Sequence, residues 1–281
     1  MSSSTLMTPV VVAPVRPSLL LGIWSLTVRE VVRFLRQRSR VMGAFVQPIL
    51  FWVMFGAGLS GSFSSGGQAG ASYLEFFTPG IAAMIVLFTS IFSAISVIQD
   101  RNEGFLQGVL VAPVSRTAIV MGKLCGGMVL SVGQALLFLG IAVALKLSGV
   151  APQLTFPTSP FVWMEIIGML CLMGLSLCGL GYAFAWRLDS VQGFHAIMSV
   201  LLFPMWLLSG AFFPLKEGNW LTYLMYCNPL TYAVAGLRHL MVQSPEALKA
   251  LPPLSLCLAV SIGFAVAVIT LDVVMTHKVK V

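Results

Sequence analysis

The chain has 281 residues, of which 58% are apolar and only 9% charged, against roughly 25% charged in an ordinary soluble domain. That composition excludes both a water-soluble globular protein and a disordered chain, and it makes this an integral membrane protein with room for about six apolar helices of roughly 20 residues. The net charge of +7 does not point to nucleic acid, because the basic residues flank apolar runs and so read as orientation signals.

Residues 1–17 are rich in Ser, Pro and Val without an amphipathic period, which predicts a flexible cytoplasmic tail. Pro9, Pro14 and Pro17 interrupt this stretch and no basic residue precedes its apolar run, so it does not read as a signal peptide. From Ser18 to Arg40 the pattern becomes helical. Arg29, Arg33, Arg36 and Arg40 form one basic stripe, with Leu20, Trp24, Val28, Val31 and Leu35 on roughly the opposite side and Arg38 off the pattern. The spacing predicts an amphipathic interfacial helix over 18–40, its arginines towards anionic headgroups and Trp24 at the boundary.

A first span is expected over about 41–60, kinked at Pro48, then an uncharged Gly and Ser rich loop over 61–72 and a second span over about 74–99. Residues 100–116 are the main polar interruption of the first half. They carry Asp100, Arg101, Glu103 and Arg116, then an apolar patch from Val109 to Val114 broken by Pro113. Such a segment is too polar for lipid and too apolar for a plain solvated connector. It predicts a short surface helix with one face free to dock on a soluble partner, although Gly108 weakens a helix there. The third span is expected over about 119–145 and the fourth over about 161–186, with Arg187-Leu188-Asp189-Ser190 as a tight inner turn. The fifth is expected over about 191–212, the last over about 254–272, and a cytoplasmic tail over 273–281.

The fold expected is thus an all-α polytopic membrane protein with a six-span domain over 41–272. Residues 213–253 break the simple pattern. Their two apolar pieces, Trp220 to Cys227 and Pro229 to Val242, are too short to cross and read as re-entrant or interfacial helices before the last span. Phe212, Phe213, Trp220, Tyr223, Tyr226 and Tyr232 would form an outer aromatic belt. Of the 16 Lys and Arg, twelve fall in the proposed inner segments and only Lys146, Lys216, Arg238 and Lys249 outside. That bias puts both termini and the 100–116 loop in the cytoplasm.

No GxxxxGK[ST] run is present, and Gly122-Lys123 lacks both the leading Gly spacing and the following hydroxyl, so the chain cannot cradle ATP in that way. Cys125, Cys171, Cys178, Cys227 and Cys257 have no metal spacing; a Cys227–Cys257 disulfide is the one pairing the topology leaves open. Glu165, Asp272 and His195 are the candidate buried ionisable groups, but each lies near a span end, where interfacial solvation is the simpler reading. Cys171, Gly174, Cys178 and Gly181 form a small-residue stripe on span four that reads as internal packing.

Two stretches carry a family resemblance. Glu103-Gly104 with Leu110-Val111-Ala112-Pro113-Val114-Ser115-Arg116 resembles the cytoplasmic loop between spans two and three of the ABC-2 type exporter permeases, and Gly104-Phe105-Leu106 is similar to their daunorubicin-resistance branch. Asn228-Pro229-Leu230-Thr231-Tyr232 with Leu237-Arg238 resembles the motif before their last span, and Phe213-Pro214-Leu215 their turn after span five. The departures are Phe105, where many members carry Thr, Gly108, where a larger polar residue is common, and Ala235, where an acid is common.

The resemblance implies the membrane subunit of an ATP-driven exporter for a drug-like, lipid or glycan-lipid substrate. It implies two permease copies in the bacterial cytoplasmic membrane and two copies of a separate cytoplasmic ATPase. No cofactor is expected on this chain, since ATP and Mg belong to the partner ATPase. The ATPase-docking residues implied are Arg101, Glu103, Gly104, Phe105, Leu106, Val109, Leu110, Pro113 and Arg116, with apolar side chains from Leu106 to Val114 filling the partner's groove. Asn228, Pro229, Tyr232 and Arg238 would line or gate the outer exit. Two other classes stay open: an ion-coupled secondary transporter, disfavoured by few mid-membrane ionisable groups, and a membrane-embedded enzyme, disfavoured by the lack of clustered His and carboxylates.

Overall fold

In a computed structural model of the chain, the structure describes residues 18–58, 73–111, 114–213, 215, 220–242, 248 and 251–278, except the side chains of 38–41, 44–45, 57 and 110–111. The expected tail over 1–17, the last three residues of that over 273–281 and the whole loop at 61–72 lie outside these residues, as do the side chains of Arg40, Leu110 and Pro113, whereas residues 273–278 continue the last helix. The described residues are mostly helical, with no strand among them.

Helix α1 (Leu19–Arg36) starts at Ser18, whose hydroxyl accepts from the Leu21 amide, and Gln37 separates it from α2 (Arg38–Gly58). Helices α3 (Tyr73–Ser93) and α4 (Ile95–Asn102) form one 30-residue span interrupted at Ala94. The short α5 (Phe105–Val111) then leads to α6 (Arg116–Leu147), capped by Ser115, whose hydroxyl accepts from the Ala118 amide. Helix α7 (Pro160–Arg187) opens on proline, whose missing N–H costs nothing in a first turn. Helix α8 (Val191–Trp206), capped by Ser190, runs into a π-helical turn at Leu207–Ala211. The short α9 (Trp220–Tyr226) and α10 (Pro229–Met241) precede α11 (Leu254–Lys278).

Five helices among the described residues are long and apolar enough to cross a membrane: 73–102, 116–147, 160–187, 191–211 and 254–278. The first of the six expected spans corresponds to α2. Its apolar part, Val46–Gly56, falls short of that length because the helix opens on Arg38-Ser39-Arg40 and carries Gln47-Pro48. The span total among the described residues is therefore five.

The centre of the bundle is α3, whose residues from Phe76 to Leu87 are all buried. Helices α2, α6, α7 and α8 pack around it, α10 and α11 pack on α7, and α1 lies along α6. The close approach of α1 to α6 depends on glycines. A Cβ on Gly122 would stand 2.6 Å from Leu26 Cβ, and one on Gly126 2.6 Å from Glu30 Cβ. Thr27 donates its hydroxyl to the Gly122 carbonyl at 3.3 Å across this contact. The small-residue stripe of α7 is likewise internal: Gly174 meets Ser131 and Met128 of α6, and Gly181 meets Ile91 and Ala94. Cys227 and Cys257 are free thiols, the first exposed and the second buried.

Replacing Gly122 by Leu overpacks the α1–α6 contact and is expected to cost about 1–3 kcal/mol. Gly133→Leu, at a glycine of the same helix with open space beside it, is expected to leave stability unchanged. Thermal unfolding of the two variants in detergent checks the contrast.

Candidate functional site

Helix α4 ends by carrying Asp100 to the foot of the bundle, where its side chain is completely buried. Three cations converge on it. Arg29 is bidentate, with Nη2 donating to Oδ1 at 2.7 Å and Nη1 to Oδ2 at 3.0 Å, while Arg33 Nη1 donates to Oδ1 at 2.5 Å. Lys123 of α6 donates to Oδ2, to Glu30 Oε1 at 2.5 Å and to the Ser96 hydroxyl at 3.1 Å. Arg33 also reaches Glu103 at 3.0 Å and Arg29 reaches Glu30 at 3.1 Å. The buried carboxylates Asp100 and Glu30 thus meet Arg29, Arg33 and Lys123, with Glu103 at the exposed edge, and a buried charge is tolerated only while such partners are in place. The Asp100 hydrogen bonds hold the Arg29 guanidinium above the usual arginine range.

Two arginines of the stripe, Arg29 and Arg33, therefore turn onto carboxylates instead of towards headgroups as the amphipathic pattern suggests. Arg29 and Arg33 turn inward because Asp100 and Glu103 lie beneath them, and Arg36 is exposed. The opposite side, Leu20, Trp24, Val28 and Leu35, is exposed, so it is the apolar face of α1 that is left for lipid.

The connector between α4 and α6 is bound to this cluster. Gly104 adopts φ 76°, a left-handed conformation that favours glycine, and turns the chain from α4 into α5. Phe105 then lies under Arg29, whose guanidinium carbon stands 3.6 Å from the ring centroid. A threonine there would offer no ring. Leu106 is buried against Leu26 and Ile119, with Phe105, Val109 and Val114 packed around them. Leu106 thus fills the protein's own interior, with Val109 and Val114 half-buried beside it, instead of projecting into a partner as expected, while the side chains from Leu110 to Pro113 lie outside the described residues. Asn102, Glu103, Gly104, Gln107 and Gly108 form the exposed face instead.

The two connector arginines also turn inward, onto helix C-termini whose last carbonyls carry partial negative charge. Arg101 donates to the Trp186 carbonyl at 2.6 Å and to Asp189 at 2.9 Å at the end of α7. Arg116 donates to the Thr276 and His277 carbonyls at 3.0 and 2.9 Å at the end of α11.

The expected outer-gate residues are locked onto the broken end of α8. Asn228 accepts from the Leu230 amide to start α10, where Pro229 takes the first helical position, and donates to the Met205 carbonyl at 2.6 Å. Tyr232 donates to the Tyr226 carbonyl at 3.2 Å. Arg238 is buried 3.8 Å from the Phe76 ring centroid and donates to the Ala211 carbonyl at 3.3 Å. Phe212 leaves the expected belt and packs inward on Phe55, Phe77 and Trp206. Trp220 and Tyr223 remain exposed.

A cavity of about 250 Å³ opens between α2, α3 and α8, lined mainly by Pro48, Met84, Phe88, Phe92 and His195. Glu165 is exposed, as expected near a span end, but Asp272 is completely buried and not solvated at an interface. Lys123 and Glu30 are buried ionisable groups that sequence reasoning missed. The signal available for Lys123 was a lone cation seven residues inside an otherwise apolar run.

The family profile of the ABC-2 type transporters matches residues 22–242, well over half of the chain. The chain belongs to the ABC-2 type transporter family. This ABC-2 transporter is 28% identical over 230 residues to the inner membrane transport permease YadH of Escherichia coli, covering 78% of this chain and 80% of that one. It is also 28% identical over 207 residues to the putative transport permease ycf38 of Porphyra purpurea, 73% and 68% of the two chains. Over 220 residues, 76% and 72% of the two chains, it is 21% identical to the daunorubicin resistance ABC transporter permease protein DrrB1 of Streptomyces coeruleorubidus.

Removing one partner from a buried ion cluster strands the others. Asp100→Asn is expected to cost about 3–5 kcal/mol by that measure, whereas Arg36→Gln, at an exposed position, is expected to stay within about 0.5 kcal/mol. Unfolding midpoints in lipid nanodiscs check both.

Proposed function

We propose that the chain is the transmembrane permease subunit of an ATP-driven exporter, moving a hydrophobic or amphiphilic molecule out of the cytoplasm with energy from a separate ATPase. The supporting observation is the connector: a short helix with an exposed polar face, held from behind by the buried Asp100 cluster and gripping the ends of α7 and α11 through Arg101 and Arg116. A partner pressing on Glu103, Gln107 and Gly108 would move those helix ends together. In this reading two ATPase copies dock on two permease copies, ATP and Mg stay on the ATPase, and both termini and the connector face the cytoplasm. The α2 helix completes a sixth crossing, α9 and α10 form the re-entrant outer segment, and the apolar cavity beside α2 and α8 receives the substrate. Family membership and a relative named for daunorubicin resistance support a transporter of this kind.

One observation favours a second reading: Asp272 is an ionisable group buried within a span, as ion-coupled secondary transporters have.

The test is co-purification. The tagged chain, solubilised gently from its native membrane, is expected to bring down an ATPase in stoichiometric amount. Glu103→Lys with Gln107→Lys is expected to lose it with little change in unfolding midpoint, since the Glu103–Arg33 pair is surface-exposed on the Glu103 side. Absence of any ATPase with the native chain, together with transport in proteoliposomes lacking ATP, would establish the secondary transporter instead.

A further inference from the structure

Asp272 stands apart from the balanced cluster under the connector. It lies on α11 about two turns before the helix ends, is wholly buried, and neither carboxyl oxygen has a hydrogen-bond partner among the described residues. The backbone of α7 is pressed against it. A Cβ on Gly179 would stand 3.0 Å from Asp272 Oδ2 and 2.7 Å from Val268 Cγ1. Among the described residues Asp272 forms no ion pair. On α7 the Tyr182 hydroxyl shares a hydrogen bond of 3.0 Å with Thr276 Oγ1, which also donates to the Asp272 carbonyl at 2.8 Å. Cys178 on α7 and Cys125 on α6 are nearby thiols. Arg101, from α4, is spent on the end of α7, and Arg116, from α6, on the Thr276 and His277 carbonyls. On its own helix, His277 bonds the Val273 carbonyl.

An isolated ionised carboxylate in such surroundings is too costly to persist, and the group neutralises instead. Hard metal cations demand a shell of several oxygen ligands, and the two hydroxyls at hand already bond each other. A proton needs only the carboxyl. A cavity of about 10 Å³ lined by Ser93, Ser96, Lys123, Cys178 and Tyr182, close to the room for one water, lies between the neighbours Cys178 and Tyr182 and Lys123 of the Asp100 cluster.

We propose that Asp272 is a proton-binding site, held as a neutral carboxylic acid while α7 and α11 are closed on it. Loss of the proton breaks the carboxyl O–H bond, leaves the electron pair on oxygen and passes the proton to water. The charge left behind opposes the close packing at Gly179, so protonation favours the closed seam. The inference concerns this chain alone and stands whether or not an ATPase drives it.

Infrared spectroscopy of the purified full chain in nanodiscs at neutral pH tests this, with Asp272→Asn and Glu165→Gln beside the native protein. The native chain is expected to show a protonated-carboxyl C=O band that vanishes in Asp272→Asn and persists in Glu165→Gln. Asn is close in shape to the neutral acid, so the unfolding midpoint of Asp272→Asn is expected to match the native value. The absence of a band difference, or failure of Asp272→Asn to fold, would overturn the proposal. So would a carboxylate signal that moves when choline is exchanged for sodium or potassium, because Asp272 would then be a metal-cation site.

Discussion

A single buried carboxylate sets the geometry of the end of the bundle where α4 meets the connector. Asp100 has no exposed surface, so its charge is tolerable only with every partner in place. Those partners come from two other helices, Arg29 and Arg33 from α1 and Lys123 from α6, and Lys123 needs Glu30 in turn. The pairing therefore fixes α1 against α6 and the foot of α4 between them. The glycines at 122 and 126 are the packing counterpart, since only without side chains there can α1 come close enough for Glu30 to meet Lys123.

The two ends of the bundle are held differently. At the end away from Asp100, the π-helical turn at Leu207–Ala211 includes Gly210 at φ 75° and leaves carbonyls for other elements to satisfy. Thr231 donates to the Leu208 carbonyl, Asn228 to that of Met205 and Arg238 to that of Ala211, while Gly80 lets α3 touch Ala211. The Asn-Pro-Leu-Thr-Tyr run, with Arg238, thus closes an irregular helix end by hydrogen bonds to carbonyls, where the Asp100 end uses paired charges.

Much of this was legible in the sequence. Long apolar runs bounded the membrane helices within a few residues, as at Ile119–Leu145 inside α6, because helix length and hydropathy are local properties. The turn at Gly104 was visible as a family motif, and its reason, a positive φ, became visible only in the structure. What periodicity could not tell was which side of α1 faces the protein. A basic stripe opposite an apolar one is compatible with headgroups or with buried carboxylates, and Asp100 is 67 positions from Arg33. The apolar residues around Leu106 posed the same ambiguity between a partner's groove and the chain's own core. Asp272 was misjudged because its distance from the helix end suggested solvent, whereas depth there is set by the neighbouring α7. At α2 the sequence placed a span kinked at Pro48, and the structure gives a helix whose apolar part is Val46–Gly56.

Arg101 and Arg116 have a mechanical consequence. They sit at opposite ends of one short connector and are anchored to the ends of two different helices, α7 and α11, which themselves pack side by side. The three pieces make a closed linkage, with rigid bars joined at pinned corners. In such a linkage a displacement at one corner is passed to the others, which couples the ends of α7 and α11 that the connector grips.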